Sequence, residues 1–414
     1  MKERIISAAI YGCLFIVVMF FSLIVDHYRN RLKVTNIDKV YSILGLRIKS
    51  RKHKKIFNPS ILFSIPVVLL PCLLAGVRAE TVGVDVTVYA DKAFDSMRNV
   101  NGILGALQRN EDFEIGYKLL AYFSNQISPN FGVFLFFTEL MIILPIYIVA
   151  YRRSPRIPVS STIIVFLLFF YCATFNIMRQ SIAAAFLVLG YQFYEEKKYI
   201  RTILCLVIAN LFHSSTIIGI FLLVISVIMG KEKNYNVLLI KTGIISVGIL
   251  VLFTIWTNLA NFLISNSIIP ERYEIYLAVF TGQISGKYSY YFQIMLDDYF
   301  GLFCRLVVTL VLIAFGKKMI KDNSNASVYW ISYIFSFLIN ASVMMVIHST
   351  YGMRIAWFTE FSLIFVLPEI LAKSNKTNDI MSLRNVLTVV SALMYFSGFI
   401  IFGWHGILPF RFAL

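Results

Sequence analysis

The sequence predicts an all-α bundle of helices that crosses a membrane many times, and three observations lead to this fold class. Of the 414 residues, 58% are hydrophobic and 14% are charged, with a mean hydropathy of +0.76. Soluble globular chains have about 45–50% apolar and about 25% charged residues. The apolar residues form runs close to the roughly 20 residues that cross a bilayer as a helix. Aromatic residues make up 15% of the chain, which suits lipid-facing surfaces and interfacial belts.

The apolar runs define ten clear candidate spans. The first begins directly after residues 1–4 and ends without a small-residue cleavage site, so we interpret it as a span and not as a signal peptide. The ten runs are residues 5–25, 59–76, 131–150, 159–175, 181–194, 237–256, 301–316, 328–347, 355–371 and 385–403.

A further apolar stretch, residues 202–230, is too long for one untilted span and too short for two full ones. Basic residues decide its path, because cytoplasmic loops are enriched in Lys and Arg. Segment 26–58 contains ten of them. If 202–230 is a short broken hairpin that turns near His213, 24 of the 38 basic residues lie in six cytoplasmic segments. We therefore predict about twelve crossings, with both termini outside.

This topology makes residues 1–414 a single polytopic membrane domain with a basic cytoplasmic loop at 26–58 and two long extracytoplasmic loops at 77–130 and 257–300. Within the first outer loop, apolar residues at helical spacing predict an amphipathic helix along the membrane surface. These residues are Ile115, Leu119, Tyr122, Phe123 and Ile127.

The net charge of +16 and the five cysteines exclude several classes of function. The basic residues fall mostly in short loops between apolar runs, so we attribute them to membrane topology and expect no nucleic-acid partner. The cysteines lie in or beside apolar runs without a CxxC pair, which indicates neither a disulfide framework nor a zinc site. Motifs of nucleotide-binding proteins and soluble hydrolases are missing. We expect no metal and no cofactor.

Unusual polar residues from five outer segments are expected near one membrane depth. Arg78 and Arg354, at span ends, are better explained by headgroup contacts when each is taken alone, whereas Arg179 lies between two short apolar runs with little loop to reach water. His213 and Asp85 are also compatible with simple turn chemistry. The candidate residues are Arg78, Asp85, Tyr89, Glu114, Asn176, Arg179, Gln180, His213, Ser214, Arg272 and Arg354.

Together these groups indicate chemistry on a lipid-linked diphosphate. The four arginines of the set suit phosphate oxygens, which planar guanidinium groups bind in pairs. Asp85, Glu114 or His213 would supply a general base for a hydroxyl nucleophile, and an apolar groove beside them would hold a lipid tail. Lipid-linked diphosphate sugars meet all three requirements.

Four short elements of the sequence are similar to those of one protein family. Val77-Arg78 with Gly83-Val84-Asp85 and Tyr89 resembles the "R…GTD…Y" element of the EpsG family, although Val84 replaces the usual Thr. Glu114 to Tyr117 resembles "E-x-G-Y", Asn176 to Ala183 resembles "N-x-x-R-Q-x-I-A", and Phe212 to Ser215 resembles "F-H-x-S". The similarity extends over about residues 60–360, and its last two elements are the most specific.

The resemblance implies a Wzy-like bacterial polysaccharide polymerase, a glycosyltransferase of the plasma (inner) membrane that acts on capsule, exopolysaccharide or O-antigen units. Its partners would be undecaprenyl-diphosphate-linked repeat units and membrane lipid, with a chain-length regulator and a flippase as further candidates. Arg179, helped by Arg78 and Arg354, would hold the departing diphosphate, and Asp85 is the weakly favoured base. Gln180 and Asn176 would orient sugar or phosphate oxygens.

Three other functions stay open at this point. A flippase for the same lipid-linked units would spread polar residues through its depth and show internal repeats, whereas here the polar residues gather on one side. A ligase that transfers finished glycan to another acceptor, as O-antigen ligases do, fits the same residues. A structural scaffold gives no reason for Arg179 or for the broken hairpin.

Overall fold

A computed structural model of the protein describes residues 2–37, 40–43, 46–49, 58–109, 113–265, 296–320, 324–347, 351–373, 386, 390 and 393–413. The regular elements among these residues are helical apart from one short antiparallel hairpin, in which Val40 lies opposite Lys49 and Ile43 opposite Leu46. The predicted helical class is therefore confirmed, with the hairpin as an addition that its basic sequence did not predict. The helices group into two compact units, which we describe separately.

The first unit contains residues 1–111, 118–176 and 406–414. Its elements include two single turns of π-helix, Val86–Ala90 and Leu167–Tyr171, beside the regular helices and strands. The others are α1 (Lys2–Ile37), β1 (Val40–Ile43), β2 (Leu46–Lys49), α2 (Pro59–Gly76), α3 (Asp91–Asp95), α4 (Gly102–Gln108), most of α5 (Ile115–Ile127), α6 (Phe131–Arg153), α7 (Val159–Phe166) and α8 (Cys172–Thr174).

Side-chain caps define where several of these helices begin. The Asn58 side chain accepts from the Ser60 amide at 3.1 Å, and Asn130 accepts from the Gly132 amide at 2.7 Å, so each satisfies a free amide of the first turn. The start of α7 is capped from another helix, because the Asp26 carboxylate accepts from the amides of Val159 and Ser160 at 2.7 and 3.0 Å.

Aromatic rings and the C-terminal segment complete the first unit. Tyr11 contacts Phe410 edge to face, with 5.5 Å between ring centroids, and its hydroxyl donates to the Ile407 carbonyl at 3.3 Å. The Ala79 amide donates to the Arg411 carbonyl at 2.7 Å. The last residues of the chain therefore tie helix α1 to the segment that follows α2.

The second unit contains residues 112–117 and 177–405. A π-helical segment, Val343–Ile347, extends α14, and another covers Met394–Ile401. Its helices are α9 (Met178–Glu195), α10 (Tyr199–Phe212), α11 (Thr216–Met229), α12 (Tyr235–Ser265), α13 (Leu296–Ile320), α14 (Ser324–Ser342), α15 (Tyr351–Glu360) and α16 (Leu363–Lys373), followed by a short 3₁₀ turn, Trp404–Gly406, that ends in the first unit.

Small residues allow close packing around the hairpin of α10 and α11. A Cβ atom on Gly190 would lie 3.2 Å from the Cys205 side chain, and one on Gly219 would lie 2.7 Å from Leu187 and 2.8 Å from Phe358. Glycines at such positions let helices approach one another in an apolar surrounding, where van der Waals contact holds them together.

Five helices among the described residues are long and apolar enough to cross a membrane. Four shorter apolar helices, Val159–Thr174, Tyr199–Phe212, Thr216–Met229 and Tyr235–Ile249, accompany them. The five are Lys2–Arg31, Pro59–Gly76, Phe131–Arg153, Leu296–Lys317 and Ala326–Met345.

The helix boundaries confirm one prediction and correct three others. The stretch 202–230 is a hairpin of two 14-residue helices that breaks at His213, as predicted. Helix α1 continues to Ile37, so part of the predicted loop 26–58 is helical. Segment 77–130, predicted to be a long loop with one amphipathic helix, contains three helices besides its π-turn, and the last of them, α5, is the predicted one. The span predicted at 355–371 is interrupted by a turn at residues 361–362.

Candidate active site

The centre of the candidate site is an ion pair between Glu114 and Arg179 in the second unit. The Nη1 atom of Arg179 donates to Oε2 of Glu114 at 2.5 Å, and the two side chains are 20% and 19% exposed. The other carboxylate oxygen of Glu114 accepts from the Ser214 amide at 3.4 Å. One carboxylate thus connects the start of α9 with the tip of the α10–α11 hairpin.

Arg179, which the sequence places between two short apolar runs, lies on the first turn of α9. Helix α9 begins at Met178, and the Ser181 amide already donates to the Ile177 carbonyl at 2.9 Å. A helical backbone holds the Arg179 side chain in a defined direction. The helix therefore fixes the direction of the guanidinium more strictly than a loop would.

Two aromatic rings flank the Arg179 guanidinium. Its central carbon lies 5.5 Å from the centre of the Phe113 ring and 5.7 Å from that of Tyr117. Both rings are buried, and both come from the short segment that also supplies Glu114. Cation–π contacts at such distances stabilise a guanidinium without using its hydrogen-bond donors.

Gly116 explains why the "E-x-G-Y" element has a glycine. A Cβ atom at this position would lie 2.8 Å from the Leu211 carbonyl oxygen and 3.0 Å from the Phe212 ring. The backbone of residues 114–117 therefore touches the last turn of α10 directly. This contact brings Glu114 to the hairpin tip, where its carboxylate accepts a hydrogen bond from the Ser214 amide.

His213 follows the last residue of α10, and its hydrogen bonds define its tautomer. Nδ1 accepts from the Ser215 amide at 3.3 Å and lies 2.7 Å from the Ser215 hydroxyl. Since an amide only donates, Nδ1 is unprotonated and the proton of the neutral ring is on Nε2. Burial, together with the charges of Arg179 and Arg354, lowers the pKa of His213 to about 4 against the opposing effect of Glu114.

Gln180 connects the start of α9 with α15. Its side-chain amide donates to the carbonyl of Arg354, and the side chain is buried. One residue further, the Ser181 hydroxyl accepts from the Trp357 indole at 2.9 Å. These two bonds fix the first turn of α15, on which Arg354 lies, so Gln180 contributes to the site by positioning.

The structure places Asp85 and Asn176 together in the first unit. The Asn176 side-chain oxygen accepts from the Asp85 amide at 3.0 Å. Gly83 has a φ of +100°, and a Cβ atom there would lie 2.5 Å from the Phe175 carbonyl oxygen. The "G-V-D" element is thus built against residues 175 and 176, and the side-chain oxygen of Asn176 is used within the protein. Asp85 is half-buried and Tyr89 is 37% exposed.

Arg78 is not at the protein surface, although the sequence suggested either a headgroup contact or a phosphate ligand. The residue is 2% exposed, and its guanidinium lies 3.8 Å from the centre of the Phe175 ring. Glu139, buried on α6 and hydrogen-bonded by Thr174 at 3.0 Å, interacts with it electrostatically. This surrounding gives Arg78 a structural place beneath the Gly83 turn.

The remaining three candidates differ in their exposure and in whether the structure describes them. Arg354 is half-buried on α15, and Ser214 is exposed at the hairpin tip. Arg272 lies outside the described residues.

Sequence reasoning missed Arg305, which forms a charged pair with Glu360 in the second unit, with 2.6 Å between the atoms Nε and Oε1. The signal was present, because a lone arginine inside an apolar span is a functional candidate by itself.

Apolar helices, a broken hairpin and a cluster of charged residues at its tip define a multi-pass membrane protein with a charged polar site. The chain belongs to the EpsG family, whose sequence profile matches residues 61–412 and so covers most of the chain. This family is associated with polysaccharide polymerisation of the Wzy-like kind. No curated protein and no solved structure matches the chain.

Proposed function

We propose that the protein joins undecaprenyl-diphosphate-linked oligosaccharide repeat units into a polysaccharide at the outer face of the bacterial plasma membrane. The supporting observation is the junction at Glu114: the "E-x-G-Y", "R-Q-x-I-A" and "F-H-x-S" elements meet there through the Arg179 ion pair and the Ser214 amide. Elements that are far apart in sequence and meet at one charged point are typical of a catalytic or binding site.

In the proposed reaction, a hydroxyl oxygen of the acceptor unit attacks the anomeric carbon of the growing chain. The new glycosidic C–O bond forms while the bond from that carbon to the lipid diphosphate breaks, and the diphosphate leaves with the bonding electron pair. The hydroxyl proton passes to a general base. The energy comes from breaking the bond between the anomeric carbon and the lipid diphosphate, so the proposal includes neither a cofactor nor a metal.

Arg179 would stabilise the departing diphosphate, because charge increases on the phosphate oxygens as the bond breaks. Glu114 holds the guanidinium by Nη1 and so fixes its direction. Arg354 adds a second positive charge near His213. Because Arg78 is buried, its role in this proposal is to support the Gly83 turn and not to contact phosphate.

The hydrogen bonds of the site support Asp85 as the general base over the two alternatives. The lone pair of His213 at Nδ1 faces Ser215, and its Nε2 carries the proton, which makes this side a donor to substrate oxygens. Both oxygens of Glu114 already accept hydrogen bonds. Asp85 donates its backbone amide to the Asn176 side chain, and this bond orients the residue.

We further propose that the helices form about twelve crossings with both termini outside, so that the hairpin tip at His213 and the start of α9 face the outer side. The basic loops support this orientation. Tyr89, Ser214 and Arg272 would then contact sugar or phosphate groups from that side, and a chain-length regulator and a flippase are the expected partners. Capsule, exopolysaccharide and O-antigen are the candidate products.

A flippase or an O-antigen-ligase-like transferase is the alternative function, and a glycan profile distinguishes them. In a strain that produces only the Arg179→Ala variant, we expect the polymer ladder to collapse to single lipid-linked units on the outer face. Units trapped on the cytoplasmic face would instead indicate a flippase. A full-length ladder that fails to reach its final acceptor would indicate a ligase.

Two companion variants make this experiment specific. Arg179→Lys keeps the charge and loses the planar fork, so we expect most of the polymer to be lost as well. Arg201→Ala removes an exposed arginine at the far end of α10 and serves as the matched control. An unchanged ladder in Arg179→Ala, with normal membrane expression, would remove Arg179 from the site.

A further inference from the structure

A second charged pair lies deep between two helices of the second unit and is not used by the proposed reaction. Arg305 on α13 donates through Nε to Glu360 on α15 at 2.6 Å, and the two side chains are 15% and 7% exposed. Both residues are the tenth of their helix. Ionisable side chains at such depth are costly and usually mark a functional site.

The Arg305 guanidinium points toward the start of α15. Its Nη2 atom lies 3.8 Å from the sulfur of Met353, which is two helical turns before Glu360 on the same face. The guanidinium therefore reaches from the level of Glu360 toward the turn that contains Arg354. Among the described residues no group accepts a hydrogen bond from Nη1, and the buried Oε2 atom of Glu360 has no partner.

The turn after the last π-helical segment closes over this guanidinium. A Cβ atom on Gly301 would lie 3.3 Å from Nη1 of Arg305 and 3.3 Å from the Trp404 ring, so these two groups share one small space. The Trp404 indole donates to Asp297 at 2.9 Å, which fixes the turn on the first residues of α13.

His405 follows Trp404 and has a strained backbone. Its φ of +64° is uncommon for a residue with a side chain, and strain of this kind is often found at functional sites. Burial and the charges of Arg305 and Arg354 lower the pKa of His405 to about 4. The ring is therefore neutral at ordinary pH, next to two guanidinium groups.

We propose that Arg305 and His405 form a second phosphate-binding subsite beside Arg354, with Arg305 oriented by Glu360. This subsite holds the diphosphate of the acceptor repeat unit. The guanidinium groups of Arg305 and Arg354 lie near the neutral ring of His405 in a water-poor place, and guanidinium groups bind phosphate oxygens well. The inference rests on the proposed function, because that reaction brings together two diphosphates: one departs, and the acceptor's stays intact.

Binding of farnesyl diphosphate to the full chain in lipid nanodiscs tests the proposal, with farnesol as the uncharged probe. We expect the wild-type protein to bind the diphosphate at two sites. Arg305→Gln should remove one of them or weaken it by about ten- to hundredfold, as expected for a lost charge-assisted hydrogen bond. Arg179→Ala should affect the other. Arg98→Gln, at an exposed arginine paired with Asp95 in the first unit, is the matched control.

A double variant separates anion binding from a structural ion pair. Arg305→Gln alone leaves a buried carboxylate unpaired and can destabilise the fold, whereas Arg305→Gln with Glu360→Gln removes both charges together. If the arginine binds phosphate, the double variant is stable and still binds weakly. If the pair is only structural, the double variant recovers wild-type binding and the proposal is wrong.

Kinetics provide a second readout and separate this inference from the proposed function. In a polymerisation assay, the double variant should raise the KM for the acceptor unit much more than it lowers kcat. A wild-type protein that binds farnesyl diphosphate no better than farnesol would contradict the proposed function itself. Discrimination by the wild type together with an unchanged KM in the double variant would contradict only the subsite.

Discussion

The Glu114 carboxylate accepts from the Arg179 guanidinium at 2.5 Å although 65 residues separate them in the chain. The second oxygen of the same carboxylate accepts a hydrogen bond from the amide of Ser214, which lies 100 residues after Glu114 in the chain. Glu114 therefore acts as the common support of two other elements. An acidic partner that holds an arginine by one nitrogen orients its remaining donors.

A double-mutant cycle on Glu114 and Arg179 tests this relationship. We expect Glu114→Gln to lower the rate of polymer formation because the guanidinium loses its fixed direction. The double variant with Arg179→Gln should be no worse than Arg179→Gln alone, with a coupling of about 1 kcal/mol or more. The exposed pair of Lys198 and Glu196, also at 2.5 Å, provides the control variant Glu196→Gln, which should leave the rate unchanged. Additive effects would show that Glu114 acts independently of Arg179.

Gly116→Ala tests the contact that brings Glu114 to the hairpin tip. The added methyl group would meet the Leu211 carbonyl at 2.8 Å, so either residues 114–117 or the end of α10 must shift. We expect polymer formation to fall and stability to decrease by about 1–3 kcal/mol. Gly243→Ala on α12 is the matched control, because no atom lies within 4 Å of its added methyl group. Its helix should gain slightly in stability, and equal losses in both variants would contradict the contact.

Hydropathy and charge predicted much of this architecture. Apolar runs located the helices, and the basic residues of the loops predicted that 202–230 is a hairpin, which indeed breaks at His213. The full extent of α1 was not predictable in this way, because a helix that continues to Ile37 beyond an apolar run has no hydropathy signal.

The start of α9 was also not predictable from local sequence. Ile177, the residue before the helix, makes no side-chain cap, so the usual signal of a helix start is missing. Contacts with α15 instead support the first turn, through Gln180 and Ser181. Arg305, the partner of Glu360, was overlooked for a different reason, since sorting the polar residues by outer segment left out a charge in the middle of an apolar run.

Gly83→Ala tests the turn that presents Asp85. Two costs combine at this position: a φ of +100° and a distance of 2.5 Å from the new Cβ atom to the Phe175 carbonyl. Gly102→Ala is matched to it, since Gly102 also has a positive φ, +77°, and has open space around its added methyl group. We expect Gly102→Ala to cost about 1–2 kcal/mol and to keep polymer formation. Gly83→Ala should lose most of it; if both variants behave alike, the packing on Phe175 is unimportant.

The neutral ring of His213 predicts a pH dependence of stability. Burial and the charges of Arg179 and Arg354 lower its pKa to about 4, with Glu114 opposing, from an ordinary value of 6.5. Between these two values the unfolded chain binds a proton that the folded protein does not. The contribution of His213 to stability is therefore complete above about pH 6.5 and is lost as the pH falls toward about 4.

His213→Gln makes this contribution measurable. The variant keeps a hydrogen-bonding side chain that does not titrate, so its stability should fall less than that of the wild type when the pH is lowered. Apparent unfolding temperatures in nanodiscs between about pH 7.5 and about pH 5 compare the two proteins. His405 titrates in the same direction in both, so its effect cancels in the difference. If the two curves stay parallel, the pKa of His213 is the same in the folded and the unfolded protein, and burial does not lower it.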